Sequence, residues 1–583
     1  MRRCSRVRFG VAVSICLGLT SVLSVAQPVA SAVAAERTAR PNVVLICVDD
    51  LKPLLGCYGD RFAKTPHLDR LAARSVRFER AYCNQAVCSP SRNALLCGLR
   101  PQTLGIYDLA TNFRKSRPDA VTLPQRFKAA GYRTEALGKI FHVGHGNTED
   151  AASWSVPHWK ANVVSYARAE SKAKDGLTRE EALFANQTAQ NLPKGAAWEA
   201  ADVPDETYPD GALAAEAVRR LEAAAGKPEE PFFLAVGFLK PHLPFVAPQR
   251  YWDLFDRSAV PLATFRAPPA GAPEYAPQFG GELRNYRNIP DKGALDEDLQ
   301  RTLVHGYYAA TSYMDAQLGR VLDAVDRLGL AENTILVLWG DHGWHLGDHG
   351  MWCKHTNYEQ ATRIPLMIAA PGLPSGKANS ALMETVDIYP TLCELAGLTP
   401  PEGLDGRSAA AVLRDPAAVH RDRAIHVYPR SSREKGPLMG RAIRTERYRL
   451  VEWKKPGTPA STADLELYDY ATDPLETKNL AAERPEIVRE LQAILAREPE
   501  ARPQVTAPAS NSTQPGSKPL DREVLFGRKD ENKDGKLTRD EFLKNQPDPD
   551  KAPERFVRFD ADRNGELSRD EFVTQGKPGD AKK

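Results

Sequence analysis

The sequence predicts an α/β protein with a mostly parallel central sheet flanked by helices on both faces. Three apolar runs have the length and composition of buried strands, at residues 43–48, 232–238 and 335–339. Three stretches have apolar residues at helical spacing and end near a glycine, at residues 213–225, 315–330 and 386–398. Strands that alternate with helices in this way favour a parallel sheet, in which functional side chains collect at the carboxyl ends of the strands.

Polar side chains follow each predicted strand at that end. Asp49 and Asp50 follow the first strand, His242 follows the second, and Asp341 and His342 follow the third. Two adjacent carboxylates after a buried strand suit a hard cation such as Ca²⁺ or Mg²⁺, whereas a lone aspartate is commonly a solvated turn or a helix cap. The histidine lies between two prolines, which hold it in a fixed position, as a proton donor requires.

A five-residue motif, Cys88-Ser-Pro-Ser-Arg92, begins a predicted helix. The arginine is one helical turn from the cysteine, where its guanidinium can balance negative charge in the site. A small buried cysteine before a helix is the structural alternative, because free cysteine is among the most buried residue types. A further pair, Lys139 and His142, is three residues apart on one side of a turn, where both can reach the oxygens of one anion.

The first 34 residues have the pattern of a cleaved export signal. Four arginines precede an apolar run from Phe9 to about Val25, and the small residues 30–34 supply a cleavage site. An uncleaved anchor helix is the alternative, but the run is short for a membrane span and polar residues interrupt it. We therefore expect an exported protein, periplasmic or extracellular, without a membrane span after cleavage.

The charge balance argues against a nucleic-acid partner. The chain has 78 Lys+Arg and 75 Asp+Glu, and the four arginines lost with the signal leave 74 against 75, a net charge of about −1. Any anionic ligand must therefore be held by a local site. Nine cysteines fall to seven when Cys4 and Cys16 leave with the signal, and an odd number fits the use of one cysteine for another purpose.

The mature chain divides by composition into four segments. We expect a catalytic domain at 35–400 and a smaller α+β subdomain at 401–500, whose last helix covers 485–498. Residues 501–519 are rich in Pro, Ser and Thr and read as a linker. Residues 520–575 contain an internal repeat and form the last segment.

The repeat has two loops that match the 12-residue EF-hand pattern, with oxygen ligands at positions 1, 3 and 5, glycine at 6, a backbone carbonyl at 7 and glutamate at 12. The predicted ligands are Asp530, Asn532, Asp534, Lys536 (backbone) and Glu541, then Asp560, Asp562, Asn564, Glu566 (backbone) and Glu571. Four phenylalanines flank the loops and should pack together, namely Phe526, Phe542, Phe556 and Phe572. We expect an all-α module that binds two Ca²⁺ ions.

These segments, in this order, resemble the sulfatase family, and the iduronate-2-sulfatase group within it. The matching motifs are 48–51, 88–92, 138–142, 240–245, 341–344, 346–354 and 467–480. The resemblance covers about residues 40–495 and leaves the repeat outside. The chain departs from the family pattern at Cys97, where Thr or Ala is usual, and at His355, where an aromatic residue is expected.

The resemblance implies a fold similar to alkaline phosphatase and conversion of Cys88 to formylglycine by a maturation enzyme. The hydrate of that aldehyde attacks sulfur with one hydroxyl, and sulfate leaves as the aldehyde re-forms. One Ca²⁺ would be held by Asp49, Asp50, Asp341, His342 and the modified Cys88. The sulfate and the modified side chain would be held by Arg92, Lys139, His142 and Lys354.

The same resemblance implies the proton transfers. Asp341 would accept the proton of the attacking hydroxyl, and His142 would help to break down the sulfated diol. His242 or Lys354 would protonate the departing sugar oxygen. The leading hypothesis is thus an exported, calcium-dependent sulfatase acting on a sulfated saccharide.

Two alternatives stay open. A phosphodiesterase or phosphonate monoester hydrolase of the same fold is the first, because related enzymes use the same matured cysteine. A secreted calcium-binding, glycan-binding protein without turnover is the second. The presence of both Cys88 and His242 argues against the second alternative, since a binding protein needs neither.

Overall fold

The computed structural model describes residues 40–187, 192–278, 281–505, 522–530, 532–544 and 552–574. The predicted export signal, residues 1–34, lies outside the described residues. Within the described ranges, every helix falls short of the length or apolarity that a membrane crossing needs.

A seven-stranded sheet forms the centre of the part of the chain before residue 400. The strands of this part are β1 (Asn42–Val48), β2 (Val76–Tyr82), β3 (Arg133–Gly138), β4 (Trp198–Ala201), β5 (Phe232–Phe238), β6 (Phe245–Pro248), β7 (Thr334–Gly340), β8 (His345–Leu346), β9 (Trp352–Cys353), β10 (Arg363–Ala369) and β11 (Lys377–Glu384). The sheet order is β11-β2-β10-β7-β1-β5-β3. Among the seven strands of this sheet, β10 is the reversed one and pairs antiparallel with β2 and β7, so the sheet is mixed but mostly parallel, as predicted.

Helices cover both faces of this sheet. They are α1 (Pro66–Ala73), α2 (Cys88–Cys97), α3 (Pro101–Leu104), α4 (Leu123–Ala129), α5 (Arg179–Phe184), α6 (Pro209–Ala225), α7 (Gln249–Trp252), α8 (Glu297–Arg327), α9 (Glu359–Thr362), α10 (Ile388–Leu395) and α11 (Ala410–Arg414). Alternate side chains of β1 enter two separate cores, because successive residues of a strand point to opposite faces. Val43, Leu45 and Cys47 pack with α2, α4 and α10, whereas Val44, Ile46 and Val48 pack with α1, α6 and α8.

Helix α8 extends further toward its N-terminus than the apolar pattern predicts. The prediction began at residue 315, whereas the helix begins at Glu297, where Asp296 caps it by accepting a hydrogen bond from the backbone N–H of Leu299. Gly306 lies inside the extra turns, and a Cβ there would be 2.8 Å from the Trp252 ring. The glycine therefore allows close helix packing and does not end the helix.

A four-stranded antiparallel sheet follows residue 414. Its strands are β12 (Arg423–Ser432), β13 (Gly436–Thr445), β14 (Tyr448–Lys454) and β15 (Asp464–Asp469), and they pair in chain order. Helix α12 (Pro485–Leu495) covers one face, where Val488 and Leu491 pack against Ile443 and Leu450. The segment thus has the α+β composition expected of the smaller subdomain.

The first residues of the predicted linker are bound to the α/β part. The N–H of Val505 donates to the carbonyl of Gly105 at 2.7 Å, and the Tyr107 hydroxyl donates to the carbonyl of Arg502 at 2.7 Å. Residues 506–519 lie outside the described residues. The seven cysteines from Cys47 to Cys393 are all free thiols.

Two helix–loop–helix units make up the described part of the repeat. They contain α13 (Arg522–Lys529), β16 (Lys536–Thr538), α14 (Arg539–Leu543), α15 (Ala552–Phe559), β17 (Glu566–Ser568) and α16 (Arg569–Thr574). The short strands pair through Leu537 and Leu567. Phe526, Phe542, Phe556 and Phe572 are buried in one cluster, as the repeat predicts.

Candidate functional site

The carboxyl ends of β1 and β7 bring an acidic cluster together at the centre of the sheet. These strands are parallel neighbours, so Asp49 and Asp50 lie beside Asp341 and His342. All four side chains are buried. The backbone N–H groups of Asp50 and His342 each donate to Oδ1 of Asp341 at 3.0 Å. Asp50 has φ 60°, a strained conformation for a residue other than glycine and one often found at functional sites.

Cys88 and Arg92 come from helix α2 on one side of this cluster. Proline is tolerated in a first helical turn, where its missing N–H is not needed, so the Cys-Ser-Pro start of α2 forms without loss of a hydrogen bond. Cys88 is 2% exposed, and its Sγ is 3.3 Å from Nε2 of His342. Arg92 is fully buried and donates to Asp341 Oδ2 at 3.1 Å and to Asp49 Oδ1 at 3.2 Å. The spacing of the motif therefore brings the arginine onto the two aspartates.

Lys139 and His142 follow strand β3 at the same edge of the sheet. Gly138 turns the chain there with φ 71°, and a Cβ at this position would be 2.3 Å from the carbonyl oxygen of Gly237, so glycine is required. Lys139 Nζ is 2.6 Å from Asp49 Oδ2. Burial acts against ionisation of Asp49, but Lys139 and Arg92 hold the pKa of its carboxyl well below the usual value.

Four side chains could hold a cation. One ligand atom from each of Asp49, Asp50, Cys88 and His342 lies within 4.8 Å of the others. His342 faces the carbonyl of Gly343 through Nδ1 at 3.0 Å, and burial lowers its pKa to about 4, so its Nε2 is available as the neutral imidazole nitrogen that metals bind.

Asp341, the fifth predicted ligand, lies beside these four side chains. Its Oδ1 is 3.6 Å from Nε2 of His342 and accepts from the two backbone N–H groups, and its Oδ2 accepts from Arg92. Burial, with Asp49 alongside, raises the pKa of Asp341 to about 7.

His242 and Lys354 contact the second aspartate of the pair, Asp50, whereas Arg92 and Lys139 contact Asp49. Lys354 Nζ is 3.1 Å from both carboxylate oxygens of Asp50 and lies 4.8 Å from the centre of the Trp344 ring. His242 Nε2 is 3.9 Å from Asp50 Oδ2. Burial opposes both charges, but Asp50 and its acidic neighbours raise the pKa values of His242 and Lys354 above their usual values.

The side chains from these segments line one cavity of about 230 Å³. Five predicted site residues contribute to its wall, namely Cys88, Lys139, His142, His242 and Lys354. His355, one of the two departures from the family pattern, also lines it. The cavity therefore has a potential nucleophile, two lysines and four histidines on its surface, with the acidic cluster beside them.

The sequence analysis missed the carboxylates of the cavity. Glu282 lies in a 3₁₀ turn, Glu282–Asn285, between β6 and α8. Its Oε1 is 2.9 Å from His242 Nε2 and its Oε2 is 2.7 Å from Lys354 Nζ. Glu180, at the start of α5, lines the same cavity. Neither residue follows a strand or belongs to a motif, so no pattern in the sequence marks it.

The second of the two repeated loops brings three predicted ligands together. One oxygen from each of Asp560, Asp562 and Glu571 lies within 4.8 Å of the others. In the first loop the Asp530 carboxylate accepts from the N–H groups of Asp534 and Gly535 at 3.1 and 2.9 Å. The equivalent bonds from Asn564 and Gly565 to Asp560 are 3.1 and 3.0 Å, so the two loops share a backbone conformation.

Comparison with protein families gives two matches. The model described as "Sulfatase" matches residues 41–398, which is more than half of the chain. The model described as "N-sulphoglucosamine sulphohydrolase, C-terminal" matches residues 347–501. Together the matches span both the seven-stranded sheet and the antiparallel sheet.

Similar curated proteins include iduronate 2-sulfatases. The mouse protein is 37% identical over 395 residues, which is 62% of this chain and 69% of the relative. The human protein is 34% identical over 511 residues, 75% of this chain and 90% of the relative. A protein named sulfatase from Formosa agariphila is 32% identical over 463 residues, 76% of this chain and 83% of the relative.

Solved structures share the fold at lower identity. A protein solved with its substrate D-glucosamine-2-N,6-O-disulfate has a TM-score of 0.62 and 23% identity, covering 78% of this chain and 97% of that chain. The phosphonate monoester hydrolase of Silicibacter pomeroyi has a TM-score of 0.61 and 22% identity, covering 78% and 94%. At these identities the likeness shows the fold alone.

Proposed function

The chain belongs to the sulfatase family of sulfuric ester hydrolases, and we propose that it hydrolyses a sulfate ester of a saccharide in the cavity that contains Cys88. The convergence of Cys88, Lys139, His142, His242 and Lys354 on that cavity is the observation that carries the proposal. Relatives above 30% identity that are named iduronate 2-sulfatase support a sulfated sugar as the substrate class.

Cys88 is the proposed nucleophile after a maturation enzyme has converted it to formylglycine. Burial, with Asp49 alongside, raises the pKa of the Cys88 thiol well above its usual value. An unmodified thiol would therefore stay protonated and unreactive at neutral pH. The conversion also puts an oxygen where the sulfur is, and oxygen is the ligand that Ca²⁺ prefers.

Asp49, Asp50, Asp341, His342 and the modified Cys88 would hold one Ca²⁺. The residues fit, because all five are buried, one atom from each of four lies within 4.8 Å of the others, Asp341 Oδ1 is 3.6 Å from His342 Nε2, and three of the five are carboxylates. When bound, the cation supplies positive charge that polarises the sulfuryl oxygens. The proposed proton-accepting role of Asp341 is supported by its pKa of about 7, which lies close to neutral pH.

The cationic side chains would neutralise the charge that builds up on the sulfuryl group. Lys139 and Lys354 line the cavity and would contact the sulfate, whereas Arg92 is buried behind it and fixes Asp49 and Asp341. His242 or Lys354 would protonate the departing sugar oxygen. His142 would help to release sulfate; burial and Lys139 hold its pKa well below the usual value, so it is a neutral imidazole that can accept a proton.

Mass spectrometry and a pair of substrates test this proposal. The peptide that contains Cys88 should show the aldehyde or its hydrate, and the protein should hydrolyse an aryl sulfate with a higher kcat/KM than the matching aryl phosphonate. An active preparation with only thiol at this position would exclude formylglycine as the nucleophile. A preference for the phosphonate would favour a phosphonate monoester hydrolase.

The two repeated loops are proposed to be EF-hands that bind two further Ca²⁺ ions. Support comes from the ligand pattern, the shared loop conformation and the paired strands β16 and β17. Isothermal titration of residues 520–583 with Ca²⁺ should give two sites, and a single site or none would contradict the assignment. Export to the periplasm or the exterior is proposed from the N-terminal pattern and is tested by the N-terminus of the mature protein.

A further inference from the structure

Glu282 joins the two side chains that are candidates for protonating the leaving group. Its carboxylate is only 17% exposed, and it uses one oxygen for His242 and the other for Lys354, at 2.9 and 2.7 Å. The same carboxylate lines the cavity that contains Cys88. It therefore lies where a substrate alcohol would leave, in contact with both possible donors.

We propose that Glu282 is a positioning residue that orients His242 and Lys354 for proton transfer to the leaving oxygen. This inference rests on the proposed sulfate-ester hydrolysis and adds a residue that is required for poor leaving groups in particular. Glu282 donates no proton in this scheme, and it acts by holding the other two side chains.

The contacts of His242 support this role. Its Nδ1 faces the carbonyl oxygen of Leu243, and its Nε2 faces the Glu282 carboxylate. Both ring nitrogens thus have a partner, and the two contacts together fix the plane and the direction of the ring. Glu282 supplies one of the two and therefore contributes to the orientation of His242.

The contacts of Lys354 lead to the same conclusion. An ammonium group has three N–H donors, and here three carboxylate oxygens surround it: two from Asp50 and one from Glu282. Asp50 alone would leave the group free to turn about its carbon–nitrogen bond and to shift with its flexible stem. Glu282 is thus a second carboxylate, besides Asp50, that contacts both Lys354 and His242, and it makes the shorter contact with each.

The cations around the cavity are divided between the two adjacent aspartates. Arg92 and Lys139 contact Asp49, whereas His242 and Lys354 contact Asp50 and Glu282. Lys139 and Lys354 line the cavity with Cys88 and would contact the sulfate. Glu282 contacts the second pair, which supplies both candidate proton donors. A change at Glu282 should therefore affect the leaving group more than the sulfate.

The test measures how the rate depends on the leaving group in Glu282→Gln. A nitrophenolate leaves without a proton, whereas a sugar or alkyl alkoxide needs one, and general acid catalysis contributes about 10²- to 10⁴-fold. We expect kcat/KM for an alkyl or saccharide sulfate to fall about 100-fold. For nitrophenyl sulfate we expect a change of less than about threefold, so the plot of log kcat/KM against leaving-group pKa becomes steeper.

Glu135→Gln is the matched control. Glu135 is likewise a carboxylate held between two cations, Arg133 at 2.5 Å and Arg220, but it is absent from the wall of this cavity. This variant should leave the leaving-group dependence unchanged. Glu282→Asp, which keeps the charge on a shorter side chain, should recover part of the alkyl sulfate activity.

The outcomes separate the inference from the proposed function. Equal losses on nitrophenyl and alkyl sulfates in folded Glu282→Gln would overturn the positioning role while leaving the sulfatase proposal intact. If Glu282→Gln fails to fold, an unchanged slope in Glu282→Asp would overturn the role in the same way. A matured wild-type protein that hydrolyses no sulfate ester would instead overturn the proposed function.

Discussion

Lys354 lies 304 residues after Asp50 in the chain, yet its Nζ is 3.1 Å from both oxygens of that carboxylate. Both side chains are buried. Burial raises the pKa of Asp50 and Lys354 acts against that rise, while Asp50 holds the pKa of Lys354 well above its usual value. Each charge therefore favours the other. This coupling links the proposed cation site to the proposed proton donor.

Replacement of Asp50 by asparagine should remove activity far more than stability. The change takes one charged ligand from the proposed Ca²⁺ site, and we expect kcat/KM for an aryl sulfate to fall at least about 100-fold. Lys354 retains Glu282 as a partner, so the free energy of unfolding without metal should fall by no more than about 2 kcal/mol. Steady-state kinetics and denaturant unfolding measure the two effects.

Calcium should stabilise the α/β part of the protein against unfolding, and this effect should depend on Asp50. A site that is bound only in the folded state adds about 2.7 kcal/mol at a ligand concentration 100 times the dissociation constant. The repeated loops could also bind Ca²⁺, so their position-12 ligands are first removed by Glu541→Gln and Glu571→Gln. The melting temperature of this double variant is then compared with and without Ca²⁺. Asp50→Asn should abolish the remaining shift, and a shift of undiminished size would place the cation elsewhere.

Replacement of Cys88 by alanine should abolish turnover and preserve the fold. The thiol is small, and its loss from the first turn of α2 should lower the free energy of unfolding by about 1–2 kcal/mol. Cys393→Ala is the control, because Cys393 is an equally buried cysteine of α10 that is absent from the cavity wall. Circular dichroism and aryl sulfate hydrolysis distinguish the two variants. Residual turnover in Cys88→Ala would mean that another group attacks sulfur.

Glu359→Gln should weaken the contact between α9 and the antiparallel sheet. It should also make the free energy of unfolding of the protein less dependent on pH in the acid range. Glu359 accepts from Arg444 at 3.1 Å and from Arg449 at 2.6 Å. Burial opposes the charge, but the arginines lower the pKa of Glu359 to about 2. A carboxyl with a lower pKa in the folded state adds stability above its unfolded pKa, about 4.3, and that stability is lost as the pH falls toward 2.

The expected difference in the free energy of unfolding between the wild type and Glu359→Gln follows from the lowered pKa of Glu359. Between pH 4.5 and 2 the wild type should lose about 2.4 kcal/mol more than Glu359→Gln, because the glutamine does not titrate. At pH 7 the variant should be about 3 kcal/mol less stable, since two buried arginines lose a charged partner. Urea unfolding across this pH range measures both differences. Glu486→Gln, an exposed change on α12, is the control and should follow the wild-type curve.

Deletion of residues 506–583 should leave hydrolysis of a small aryl sulfate within about threefold of the full chain. The cut is set by the structure, because residues 502–505 hydrogen-bond to the segment 102–111 and belong with the α/β part. A deletion from residue 502 is the comparison and should lower the melting temperature. A folded 506–583 deletion without turnover would show that the repeat acts in catalysis.

Much of the site could be predicted from sequence because its residues sit next to strong local patterns. Asp49 and Asp341 follow apolar strands, and parallel strands end at one edge of a sheet, so their meeting follows from the fold class. Arg92 is one helical turn from Cys88, and the helix itself sets that distance. Each of these inferences needs only a strand, a helix or their order.

Neither the start of α8 at Glu297 nor the role of Gly306 could be predicted from the sequence pattern. The glycine and the polar positions around it weaken the helical pattern, and the reason for a glycine there is the Trp252 ring packed against it. Helix propensity describes the preference of a residue outside any tertiary context, and glycine has a low one. At Gly306 the close packing of the helix against Trp252 outweighs that preference.

The sequence by itself determined the α/β class, the nucleophile motif, the strand-end acids and the two repeated loops, because each is written in neighbouring residues. Only the tertiary structure decided which carboxylate would join His242 to Lys354. Glu282 comes from a 3₁₀ turn with no periodic signal, and its contacts with His242 and Lys354 bring it into the cavity wall. Contacts between distant segments depend on the packing of the whole domain, and no spacing in the chain encodes them.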